Sequence, residues 1–179
     1  ENDNPRAIEL ATRAVDEDPQ SPAALIALSY AQQARFDLEA ALVSARRAVG
    51  LDPSSALAHA RSAELEMSAG RLNAALAAAQ QAVALDPDLG RTQTVLGFAN
   101  LIRIDTRAAR ASFERAIELD QADPLPRLGL GLAKVRDGDL EAGRVELEIA
   151  AILDPGNSLV RSYLGKAYYE EGRDRLAGE

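Results

Sequence analysis

The chain has 179 residues, a formal net charge of −8, one histidine and no cysteine. The acidic balance argues against a nucleic-acid binder, which needs a basic surface to displace counterions, and the missing cysteines exclude disulfides and thiolate metal sites. Hydrophobic residues make up 47% but aromatics only 4%, and much of the apolar share is alanine, which suits closely packed helices.

Residues 1–21 predict one helix, over about Asn4–Glu17, that stops at Asp18 because Pro19 disfavours α geometry in the residue before it. That stop, AVDEDP at 14–19, returns every 34 residues as AVGLDP (48–53), AVALDP (82–87), AIELDQ (116–121) and AAILDP (150–155). Four full rows follow, 22–55, 56–89, 90–123 and 124–157, and a shorter last row, 158–179. Ser21, Ser55, Asp123 and Asn157 stand where the first helix of a row needs an N-cap. Pro22 and Pro124 suit its first turn. A mid-row break falls near Phe36–Asp37, Gly70–Arg71, Ile104–Asp105, Gly138–Asp139 and Gly172–Arg173, where glycine permits a sharp turn. Each full row therefore predicts helix, turn, helix, with helices of about 13–15 residues. The last row predicts a helix over about Leu159–Glu171, and its tail RDRLAGE starts another.

Three columns of the 34-residue rows are small: Ser29, Ala63, Gly97, Gly131, Gly165; then Ala7, Ala41, Ala75, Ala109, Gly143, Ala177; then Ala14, Ala48, Ala82, Ala116, Ala150. Such columns mark close approach of two helices, where overpacking costs roughly 1–3 kcal/mol per site. Leucine columns, Leu28, Leu96, Leu130, Leu164 and Leu51, Leu85, Leu119, Leu153, predict packing between neighbouring rows. With YLGKAYYEEGR (163–173) and the LDP phrases, this pattern resembles tetratricopeptide (TPR) repeats across the whole chain. Leu164, Gly165, Tyr168, Ala177 and the Asp154–Pro155 turn fit the family pattern. Its early aromatic is replaced by Leu25, His59, Gln93, Arg127 and Arg161, and its later tyrosine by Gln32, Glu66, Asn100 and Lys134, surviving only as Tyr168. The resemblance implies an all-α fold, an α-solenoid of antiparallel helix pairs stacked into a right-handed superhelix. A half repeat would begin the array (1–21, second helix only) and another would end it (158–179). Glu1 at the start, in mid-repeat, predicts an excised piece of a longer array, with Ile8, Leu10 and Val15 uncovered at one end and Leu164 and Tyr168 at the other.

A TPR array is implied to hold a peptide or partner helix in a concave groove lined by its first helices. The groove pattern of the family falls here on Tyr30, Arg61 and Arg91, then Phe98, Leu128 and Leu132, and finally Tyr163, Lys166 and Tyr169. Phe98, Leu128, Leu132, Tyr163 and Tyr169 would form an apolar track, weighed against ordinary core, and Leu128→Glu would abolish capture while sparing the fold. Arg61 and Arg91 would meet an acidic group or form local ion pairs; the chaperone-tail carboxylate clamp of some TPR proteins is not recognisable. No catalytic, cofactor or metal site is predicted: His59 stands in a packing column, and the glycines fall in repeat columns and turns. The expected function is a non-catalytic protein-interaction scaffold with a protein or peptide partner and no nucleic acid. The alternatives are an assembly element stacking head to tail in envelope, secretion or pilus machinery, or the recruiting arm of a larger enzyme. No apolar run approaches the roughly 20 residues of a membrane span, no signal peptide is visible, and the compartment stays open between cytoplasm and periplasm. Eighteen of the 20 basic residues are arginine, a hint of a GC-rich, bacterial genome.

Overall fold

The computed structural model describes residues 4–177, and the side chains of residues 5–172. The side chain of Ala177, in the second small column, and the last two residues of the RDRLAGE tail lie outside them. Ten helices and no strand are found among the described residues: α1 (Asn4–Glu17), α2 (Pro22–Ala34), α3 (Leu38–Leu51), α4 (Ala56–Ser68), α5 (Leu72–Leu85), α6 (Gly90–Ile102), α7 (Thr106–Leu119), α8 (Pro124–Arg136), α9 (Leu140–Leu153) and α10 (Ser158–Ala177). They form two compact units, Glu1–Pro87 and Asp88–Glu179.

Helix boundaries follow local chemistry. The Ser21 and Ser55 hydroxyls accept from the amides of Ala24 and Ala58, and Asn157 accepts from Leu159 and Val160, so orphan donors of the first turn are satisfied. Asp123 accepts from Leu125. The mid-row aspartates Asp37, Asp105 and Asp139 cap α3, α7 and α9 in the same way. The recurrent aspartate closes the preceding helix, with proline after it in three of these four rows and Gln121 in the other: Asp52, Asp86, Asp120 and Asp154 are the C-caps. Its carboxylate then takes the amide two residues on at Asp18, Asp52 and Asp120.

The mid-row break needs one residue in the left-handed region. Gly70 (φ 72°) and Gly138 (φ 89°) supply it without strain, whereas Phe36 (φ 64°) and Ile104 (φ 67°) do so with a side chain, 96% and 66% exposed. The expected break at Gly172–Arg173 is absent: α10 runs on to Ala177.

The small columns form the core. Ser29, Ala41, Ala48, Ala63, Ala75, Ala82, Ala109 and Ala150 are fully buried, whereas Ala7 and Gly165 are exposed. In the second unit a Cβ at Gly131 or Gly143 would lie 2.9 Å from the carbonyl oxygen of the other, so α8 and α9 meet backbone to backbone. Among the leucine columns Leu130 is buried, but Leu28, Leu51, Leu85, Leu96, Leu119 and Leu164 are half-buried and Leu153 is exposed. As expected, Leu130 packs with Leu101 and Phe113 of the row before, Leu51 on a cluster that joins Leu25 to Ala58, and Leu164 on one that joins Leu147 to Val160, whereas Leu153 stays in solvent. At the terminal helices Leu10 (56%) and Tyr168 (52%) are exposed, as expected, whereas Ile8 is half-covered, Val15 packs on the cluster around Leu25 and Leu164 on that around Leu147.

Candidate functional site

In the second unit α6 lies beside α8, and α8 beside α10. Their common face carries a groove of about 680 Å³. Its floor is Leu128 and Leu147, buried against Val160 and Ala167. Phe98 and Leu132 form the walls, and Leu125 (37% exposed), Leu159 (56%), Ile102 (44%) and Tyr163 (36%) open to solvent around them. Phe98 is held edge-on to the buried Phe113, with ring centroids 4.9 Å apart. Charges stand at one end. Arg136 donates to the Leu101 carbonyl at 3.1 Å, and Lys166 pairs with Glu170 at 3.6 Å.

The structure thus brings together Phe98, Leu128, Leu132, Tyr163 and Lys166 of the nine expected residues. Tyr169, on α10, is exposed but does not line the groove, and Arg91 is half-buried in the first turn of α6. Tyr30 and Arg61 belong to the first unit. Two expectations are corrected. Leu128 is 4% exposed and part of the core, so Leu128→Glu would damage folding before it reported on binding. Arg61 is 2% exposed and so is not an open anion site; of its two expected roles the local ion pair, with Glu64, is the one found, buried rather than solvated. Its guanidinium donates to the Ser29 hydroxyl (2.8 Å) and carbonyl (3.0 Å), to Gln33 (2.8 Å) and to Glu64 (3.0 Å), and lies 3.6 Å over the Tyr30 ring. Ile102, Leu159, Arg136 and Glu170 were missed. Their signal was the column: Arg136 and Glu170 follow Ile102 at the 34-residue spacing, and Leu159 follows Leu125.

No protein-family model matches the sequence, nor does any curated protein. Solved structures do match. TTC0263, a thermophilic TPR protein of Thermus thermophilus, superposes with a TM-score of 0.80 at 22% identity, over 93% of this chain and 91% of its own. The Cut9–Hcn1 hetero-tetramer of the APC/C gives 0.84 at 18%, over 96% of this chain and 34% of its own. YrrB, a TPR protein with an unusual peptide-binding site, gives 0.62 at 23%, over 93% of this chain and 87% of its own. The fold is that of a TPR array.

Within the TPR fold, the column that keeps its tyrosine only at Tyr168 holds a chain of polar ties instead. Gln32 accepts from the Ser44 hydroxyl at 2.7 Å. Glu66, 6% exposed, takes Arg46 at 2.9 Å and Arg71. Lys134 reaches Glu146 at 2.8 Å, which also takes Arg127 at 2.7 Å. Tyr168 itself donates to Glu148. Burial alone would raise the Glu66 carboxyl, but hydrogen bonds from Arg71 and Arg46 outweigh it and hold the group below its ordinary value. Glu146 follows the same balance, with Lys134 and Arg127 overcoming burial. The sole histidine, His59, meets the Pro53 carbonyl at 3.0 Å. Among the described residues no helix is long and apolar enough to cross a membrane.

Proposed function

We propose that this protein is a non-catalytic interaction scaffold whose groove on α6, α8 and α10 captures a segment of another protein. The supporting observation is an apolar trough with a rigid, buried floor and exposed Leu125, Leu159, Ile102 and Tyr163 around it. Exposed apolar residues clustered over a packed base are a docking surface rather than stray surface leucines. YrrB, a structural neighbour with a peptide-binding site, supports the same reading. The test is capture from lysate by wild type and by Leu125→Asp, a change at a half-open position that leaves the helical circular dichroism intact. A partner held only by wild type is the expected result; equal capture by both sinks the groove as the binding surface.

A second reading, self-association through the terminal helices, is favoured by one observation. Ala7 and Leu10 of α1, and Gly165 and Tyr168 of α10, belong to faces that inner helices cover, yet they are exposed. Light scattering over rising concentration tests it, and a strictly monomeric mass would remove it.

A further inference from the structure

We infer that the groove on α6, α8 and α10 receives an amphipathic α-helix of its partner, with a carboxylate beside its apolar stripe, and not an extended peptide. The inference rests on the scaffold reading of the same groove. Its ground is backbone chemistry. An extended segment directs N–H and C=O groups at the walls that hold it, and each one buried without a partner is costly. Extended peptides are therefore held by a free sheet edge, by side-chain donors and acceptors, or, as polyproline II, between ridges of aromatic rings, and this trough offers only the Phe98 and Tyr163 rings among its lining residues. No strand occurs among the described residues, and no Asn, Gln, Ser or Thr lines this trough. The walls are leucine, isoleucine, valine, phenylalanine and the ring of Tyr163, carried by helices whose own backbone groups are already paired. The polar groups present are few and sit at the open side: Arg136, which donates to the Leu101 carbonyl, Lys166, which lies 3.6 Å from Glu170, and the Tyr163 hydroxyl, too sparse a set to satisfy the backbone of an extended segment. A helix needs no such partners, because it satisfies its backbone internally and presents only side chains.

Size and charge narrow the occupant further. A trough of about 680 Å³ accepts a stripe of large apolar side chains rather than one anchor. On a helix that stripe falls at i, i+3 or i+4, and i+7. The charged end carries two cations, Arg136 and Lys166, against one carboxylate, Glu170, a local positive excess on a chain of net charge −8. An acidic residue flanking the stripe complements that end.

The test is a phage-displayed library of random peptides about 14 residues long, roughly four helical turns, panned on the whole chain and counter-selected on Leu125→Asp. Enriched sequences with hydrophobic residues at helical spacing and a flanking Asp or Glu are expected. Sequences alternating every second residue, proline-rich sequences, or no enrichment over the variant overturn the inference. The strongest binder is then synthesised and measured by fluorescence anisotropy beside a copy with a central proline. The proline removes a helical hydrogen bond and clashes with the preceding turn, so binding falls about tenfold or more; equal binding overturns the inference. Lys166→Glu weakens the acidic peptide about threefold, and replacing the peptide's acid by lysine restores it; no response to either charge removes the carboxylate from the inference. A lysate partner that still depends on Leu125 would keep the scaffold reading alive through any of these failures.

Discussion

The two units solve one packing problem with opposite chemistry. In the first, Arg61 on α4 reaches Ser29 on α2 in a buried space that the arginine fills, and Ala45 on α3 is fully buried. In the second, the residues 68 positions on are Gly97, Phe113 and Gly129, and the phenylalanine fills it. A Cβ at Gly97 would lie 2.5 Å, and one at Gly129 2.2 Å, from the Phe113 ring. The repeat dictates that the space between two first helices and the second helix behind them must be filled. It does not dictate which helix supplies the filler. An arginine brings partners with it, and Tyr30, Gln33 and Glu64 gather around it. A phenylalanine asks for none, and the face beside it stays apolar, with Phe98 and Leu132 packed against the Phe113 cluster and lining the open groove. The choice of filler thus separates a polar face in one unit from an apolar trough in the other.

The largest effect on this comparison comes from removing the apolar filler. Phe113→Ala is expected to cost about 3–5 kcal/mol in chemical denaturation, since two glycines on facing helices cannot close the void. Arg61→Gly follows at about 2–4 kcal/mol, because the Ser29 carbonyl and the Glu64 carboxylate lose a buried donor. The sharper version transplants one solution into the other unit. Ser29→Gly and Ala45→Phe added to Arg61→Gly should leave a more stable protein than Arg61→Gly alone, despite two helical glycines; a triple variant weaker than the single would show that the fillers are not interchangeable.

The polar ties answer to acid and the phenylalanine does not. Glu66 and Glu146 have depressed pKa values, so their contribution is complete above the ordinary carboxylate value of 4.5 and is lost as pH falls through the depressed one. Melting temperature should therefore decline below pH 4.5, and Glu66→Gln, costing about 1–2 kcal/mol at neutral pH because both arginines are partly solvated, should flatten that decline. An unchanged acid profile in Glu66→Gln would mean that the tie contributes nothing. The smallest expected effect is a gain. Phe36→Gly or Ile104→Gly relieves a left-handed side chain and should raise stability by about 1 kcal/mol, read as a rise in melting temperature.

The architecture was legible because it is written in local chemistry. The caps Ser21, Ser55, Asp123 and Asn157 and the aspartates before proline act within a few residues of themselves, so spacing alone located the helices. The groove was half legible: its helices and five of its residues followed from the groove pattern that the TPR resemblance implies, laid on the repeat register. What stayed hidden depends on residues far apart in sequence. The column of Arg61 runs Ala27, Arg61, Val95, Gly129, Tyr163 and has no common property. Its meaning appears only when each member is read with residues 16 and 32 positions before it. Leu128 was misread for a related reason. Between Thr94 and Ser162 its column shows no apolar pattern, and only the neighbouring Leu147 and Val160 make it floor rather than surface.

The two side chains at left-handed turns also set where the molecule gives way first. Segments open locally at a cost set by their own contacts, and exposed loop tips open most easily. Phe36 combines a strained backbone with a ring 96% exposed. A protease that selects aromatic residues should cut there before any other aromatic site, separating α1 and α2 from the rest in the first minutes of limited digestion. The equivalent turn at Gly70 shows neither an aromatic handle nor strain, and should stay intact. Digestion of this array should therefore proceed in the order of its turns, with the repeat that borrowed a phenylalanine where its neighbour uses glycine failing first.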